Sequence, residues 1–204
     1  MTLSTLKSKP YIISNRTTDP YISPITPAEL ADYLSIEYDP SLDDILTDTL
    51  SAAGQLYVDY TSCELLERDY VLHLSRWPEY GKSTSGLVPT AAQQRFWIDV
   101  PIYPATELTG FTAEGEDVLL NAALHSSDKP SRITVTSPIY ESDLIITYKA
   151  GYPTAAEINP ATLYGVKMLA GWLYEHRGAC SNENPILESG AAAIFNADRV
   201  IKSL

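Results

Sequence analysis

Cysteine is nearly missing from this chain: Cys63 and Cys180 are the only two in 204 residues, and neither belongs to a C-x-x-C. That excludes a disulfide scaffold and makes a reducing compartment the expectation, with a single Cys63–Cys180 bridge left open. Basic residues are scarce as well. Fourteen Lys+Arg stand against 26 Asp+Glu, for a formal net charge of −12 and an isoelectric point near 4.5. A nucleic-acid binder that works by neutralising phosphates is thereby excluded. A protein that stays beside DNA without adhering to it is not. No apolar run approaches the roughly 20 residues that cross a bilayer, so no membrane association is expected. The first 25 residues hold no apolar run of secretory-signal length, about 7–15 residues.

What is present suffices for a core. The chain is 45% hydrophobic, which excludes wholesale disorder, and its length fits one domain or one domain with an arm. The aromatics are skewed, 14 Tyr against 3 Trp and 3 Phe. Tyr suits half-buried core positions and also interfaces that are wet at one end.

Residues 1–25 show neither a helical nor a strand period and carry Pro10, Pro20 and Pro24, so an extended N-terminal arm is expected there. Its Tyr-Ile pairs at 11–12 and 21–22 imply contact with an apolar surface. Thr26-Pro27-Ala28-Glu29 is a capping box with Pro at the first helical position, which predicts a helix over about 27–34. A longer helix is predicted over about 41–62, where Leu42, Ile45, Leu46, Leu50, Ala53, Leu56, Tyr57 and Tyr60 follow the helical period. Asp44, Asp48, Ser51, Gln55 and Asp59 line its opposite side.

From about 67 to 149 the period drops to two, as in Tyr70–Leu74, Phe96–Val100, Ile133–Thr136 and Leu144–Tyr148. Turn signals at Pro101, Pro104, Glu114-Gly115 and Lys129-Pro130 separate these runs, predicting an antiparallel β region. Residues 78–93 read as a long exposed loop. Asn159-Pro160 starts a helix over about 160–178, and a last short helix is predicted over about 189–197. The class is α+β: a helical bundle with an inserted antiparallel region.

Motifs for chemistry fail one by one. Gly81-Lys82-Ser83 resembles the end of a P-loop, but Arg76 stands where the first Gly is required, and Ser85 spoils a G-x-S-x-G reading. His73, His125 and His176 have no second ligand at metal spacing. Glu37, Asp39, Asp43 and Asp44 lack the Gly and terminal Glu of an EF-hand loop. No catalytic residue, cofactor site or metal site is assigned. Charge is more informative: residues 17–67 contain eleven acids and no Lys or Arg. Such a surface either solubilises, repels polyanions or docks on a basic partner.

Four stretches in order resemble the head–tail adaptor (connector) family of tailed bacteriophages. They are Ile25–Leu34 followed by an acidic turn, Ala52–Thr61 at the end of the long helix, Ile146–Tyr152 ahead of Pro160, and Met168–Arg177. The resemblance implies a structural virion protein, not an enzyme. It would form a ring of twelve copies at the neck, the head–tail junction, after assembly in the host cytoplasm. The implied partners are further copies of itself, the portal protein and a stopper or tail-completion protein, with genomic DNA passing through the channel unbound. The core domain would span 26–189. Asp44, Asp48 and Asp59 would line the channel. Residues 190–204 would dock on the portal through Phe195, Arg199, Val200, Ile201 and Lys202, or else pack back as a final core helix. Another neck or tail-completion protein, or an acid-dependent hydrolase, is the competing reading.

Overall fold

A computed structural model describes residues 11–15, 21–77, 97–137, 139, 142–177 and 184–200. The expected exposed loop at 78–93 lies outside them, as do Cys180, Ile201 and Lys202. The fold is α+β, as expected.

Helix α1 (Pro27–Leu34) begins where its capping box dictates. The Glu29 amide donates to Thr26 Oγ1 at 3.2 Å and the Thr26 amide to Glu29 Oε2 at 2.8 Å. Two of the three unpaired donors of the first turn are satisfied in this way, Pro27 having no N–H to satisfy. A 3₁₀ turn at Pro40–Leu42 leads into α2 (Asp43–Thr61). Helix α3 (Pro160–Glu175) is capped by Asn159, whose side chain accepts from the Ala161 amide at 2.9 Å. It ends three residues before the expected stop at Gly178. The last expected helix, about 189–197, is found as α5 (Ala192–Asp198), and a short helix that was not expected, α4 (Pro185–Glu188), precedes it. Gly190 between them has φ +77, a left-handed conformation that breaks helical continuation.

The β region forms two antiparallel sheets. The larger has the order β1 (Tyr11–Asn15), β2 (Arg68–Arg76), β8 (Ser142–Ala150), β4 (Ala105–Ala113) and β5 (Glu116–Asp117). The smaller has the order β3 (Trp97–Asp99), β7 (Arg132–Val135) and β6 (Ala122–His125). Part of the expected arm is therefore sheet: Tyr11 lies opposite Leu74 and Asn15 opposite Tyr70. The pairing supplies partners for backbone groups that proline spacing alone leaves unassigned. Alternation along β2 and β8 aims Tyr70, Leu72, Leu74, Leu144, Ile146 and Tyr148 into one core, shared with Leu46, Leu50 and Tyr57 of α2 and Val166 and Leu169 of α3. His73 stands on the other face of β2, half-buried.

Two glycines show how close the elements come. A Cβ on Gly165 would stand 2.7 Å from the Phe195 ring, and one on Gly171 would stand 3.2 Å from the Tyr33 ring. Small residues along α3 thus admit α5 on one flank and α1 on another.

Candidate assembly surfaces

Helix α2 turns its acids outward. Asp44, Asp48 and Asp59 are all exposed, opposite the buried Leu46, Leu50, Ala53 and Tyr57. Gln55 Nε2 donates to Asp59 Oδ1 at 3.1 Å and the Tyr38 hydroxyl to Asp43 Oδ1 at 2.6 Å. Among the described residues no Lys or Arg forms an ion pair with Asp44, Asp48 or Asp59. Their charge is projected into solvent rather than neutralised. Ile45 departs from expectation: it is 44% exposed. The buried arc of α2 is rotated towards Gly54, Val58 and Thr61 because Tyr21 covers that flank. A Cβ on Gly54 would stand 2.2 Å from the Tyr21 ring.

The carboxy-terminal region corrects the sequence reading. Phe195 is fully buried in its own subunit, edge-on to Tyr57 with ring centroids 4.9 Å apart. It is therefore not a free anchor for a partner. Asp198 fastens the end of α5: its Oδ2 accepts from the Thr162 hydroxyl at 2.7 Å and from the Tyr57 hydroxyl at 3.2 Å. The Cys63 thiol donates to the Asp198 carbonyl at 3.1 Å, and the Val200 amide to the Thr61 carbonyl at 2.9 Å. Arg199 lies over the Tyr60 ring at 5.1 Å. The chain packs on its own subunit through α5 and on to Val200, beyond the end of that helix at Asp198, because apolar burial and these hydrogen bonds reward it. Sequence reasoning missed this network, since its members lie up to 141 residues apart.

A second buried network surrounds Glu64, which is only 1% exposed. Its carboxylate accepts from the Tyr70 hydroxyl at 2.5 Å and from the Leu65 amide at 3.0 Å. The Tyr21 hydroxyl lies buried within reach of its charge, and Arg68 rests over the Tyr21 ring at 5.3 Å. Burial raises the Glu64 carboxyl above the ordinary carboxylate range, against the pull of those two hydrogen bonds and of Arg68. Burial likewise pushes the Cys63 thiol up to about 11, so it is protonated at neutral pH and a poor nucleophile. Among the described residues no group of three or more His, Cys, Asp or Glu is placed to hold a metal ion. These networks join the N-terminal segment and α5 to α2.

No protein-family model matches the chain, and no curated protein matches it. Solved structures do match its fold. A chain of the neck of an empty GTA particle, computed with C6 symmetry, aligns with a TM-score of 0.70 at 20% identity, over 95% of this chain and 97% of that one. A chain of the virion of a native gene transfer agent (GTA) particle gives 0.71 at 19% identity, with the same coverage. A chain of the neck of a native GTA particle, computed with C12 symmetry, gives 0.62 at 18% identity over equal spans. The likeness runs through almost the full length of both chains and is one of fold.

Proposed function

We propose that this protein is a structural neck component of a phage-like particle: a ring subunit between portal and tail or stopper, enclosing the channel through which DNA passes. The observation that carries this reading is the near full-length fold match to chains of neck and virion assemblies, two of them computed with cyclic symmetry. The four stretches that resemble head–tail adaptors support it from the sequence side. Twelve copies are proposed, matched to the portal. Cyclic head-to-tail contacts close such a ring without self-complementary patches.

Within that ring, Asp44, Asp48 and Asp59 are proposed to face the channel. Lys or Arg contacts to phosphate would hold a moving duplex, whereas an acidic lining repels it. Portal docking is proposed to begin beyond α5, with Ile201 and Lys202, since Phe195 is committed to the core and Val200 is hydrogen-bonded to Thr61. No nucleophile–base pair favours a hydrolase among the described residues.

Electron microscopy of particles made without this gene tests the assignment. The expected phenotype is DNA-filled or leaking heads that lack tails. Tailed, infectious particles from the deletion strain would overturn it.

A further inference from the structure

The ring reading leaves unused a groove on the described surface. It lies between α1, the C-terminal half of α3 and α4, with a volume of about 370 Å³. Tyr33, Leu34, Met168 and Trp172 form its walls, and Glu175 and Glu188 rim it. Both acids and Tyr33 are exposed, and no Lys or Arg lines it. An occupant that matches this chemistry presents short apolar side chains with cations beside them.

The chain itself holds two segments of that kind. Residues 199–204 (RVIKSL) are apolar and basic, but Arg199 and Val200 are already engaged on α2. The four residues that follow span at most about 14 Å. Residues 1–10 (MTLSTLKSKP) carry Leu3, Leu6, Lys7 and Lys9 and no acid, in a chain of net charge −12. Ten residues reach about 33 Å when extended. They join the body at Tyr11, in the outer strand of the larger sheet and opposite Leu74. Helix α3 follows from the other end of that sheet, where Arg68 pairs with Ala150.

We propose that the groove formed by Tyr33, Met168, Trp172, Glu175 and Glu188 receives residues 1–10 of a second copy of this chain, with Leu3 and Leu6 on the aromatic walls and Lys7 and Lys9 against the two carboxylates. The contact is heterologous: one copy gives the segment, the next gives the groove. It rests on the neck-ring reading only for the number of copies that close; segment and groove are tested in solution without any particle.

The experiment uses the full chain, a variant lacking residues 1–10, and a Glu175→Lys/Glu188→Lys variant, with the synthetic peptide MTLSTLKSKP as probe. Titrating the peptide into the truncated protein should shift the emission of Trp172, and a Trp172→Phe control should remove that shift. The double Lys variant, altered only at exposed positions, should bind the peptide about tenfold or more weakly, a change of about 1.4 kcal/mol or greater. By sedimentation velocity, the full chain should gain mass with concentration more than the truncated form does. Absence of a peptide-induced shift, or equal affinity for the double Lys variant, would overturn the groove. Self-association that is indifferent to removing residues 1–10 would overturn the second copy as donor.

Discussion

Replacing Phe195 with Ala separates a core role from a docking role. The side chain is fully buried, packs edge-on against Tyr57 and fills the space that Gly165 leaves open. Truncating a buried Phe to Ala costs about 3–5 kcal/mol, the lost transfer free energy plus the cavity left behind. Of this, about 0.5–1.5 kcal/mol belongs to the aromatic pair. In a chain of this size each kcal/mol lowers the midpoint by about 2–4 °C, so thermal unfolding should shift down by about 6–20 °C. Gly165→Ala supplies an internal check. In the parent its Cβ would clash with the Phe195 ring at 2.7 Å and approach Ile194 at 3.3 Å, so it should destabilise. In the Phe195→Ala background the ring is gone, and the gain of about 1 kcal/mol in helix propensity should show as partial rescue. A midpoint within about 2 °C of the parent for Phe195→Ala would refute the core assignment.

Glu64→Gln keeps an acceptor for Tyr70 and removes a buried charge, so urea unfolding at about pH 8 should find it at least as stable as the parent. Because the folded carboxyl titrates above its unfolded value, its contribution is fully present below the unfolded pKa and is lost as pH rises through the folded one. The advantage of Gln should therefore shrink towards about pH 4, and a Gln variant weaker by more than about 1 kcal/mol at pH 8 would contradict this. Gly151→Ala should cost about 2 kcal/mol or more, because φ is +118 and the new Cβ would lie 2.3 Å from the Leu66 carbonyl oxygen; calorimetry reads it directly, and an unchanged midpoint would contradict the strain. Asp44→Lys/Asp48→Lys/Asp59→Lys alters exposed positions only and should leave the midpoint nearly unchanged. It should slow DNA packaging or ejection, and normal DNA movement in correctly assembled triple-mutant particles would sink the proposed channel role.

Much of the helical layer was legible because helix ends are local chemistry. Thr26 with Glu29 and Asn159 with Pro160 act within four residues, and the structure starts α1 and α3 where they point. The outward face of Asp44, Asp48 and Asp59 was equally legible, since a 3.6-residue period sets them against Leu46, Leu50 and Tyr57. Ile45 was not. It lies about 100° from Leu46 around the helix, and only the placement of Tyr21 over Gly54 decides which flank of α2 is covered. Strands β4, β5 and β6 fall inside the expected antiparallel region, but their own runs were not legible in it. β4 bears register shifts against β8 between Ala105 and Glu107 and between Leu108 and Gly110, which blur the two-residue alternation.

The sequence by itself determined the class, the starts of α1 and α3 and the acidic face of α2, because caps and periodicity act over a few residues. Tertiary structure alone decided three things. Residues 11–15 pair with β2 rather than extend freely, Glu64 is buried between Tyr21 and Tyr70, and α5 packs on α2 and α3. Each depends on groups far apart in the chain. The Phe195 segment reads as apolar and basic whichever surface covers it, and only the Asp198 bonds to Tyr57 and Thr162 say that its own subunit does.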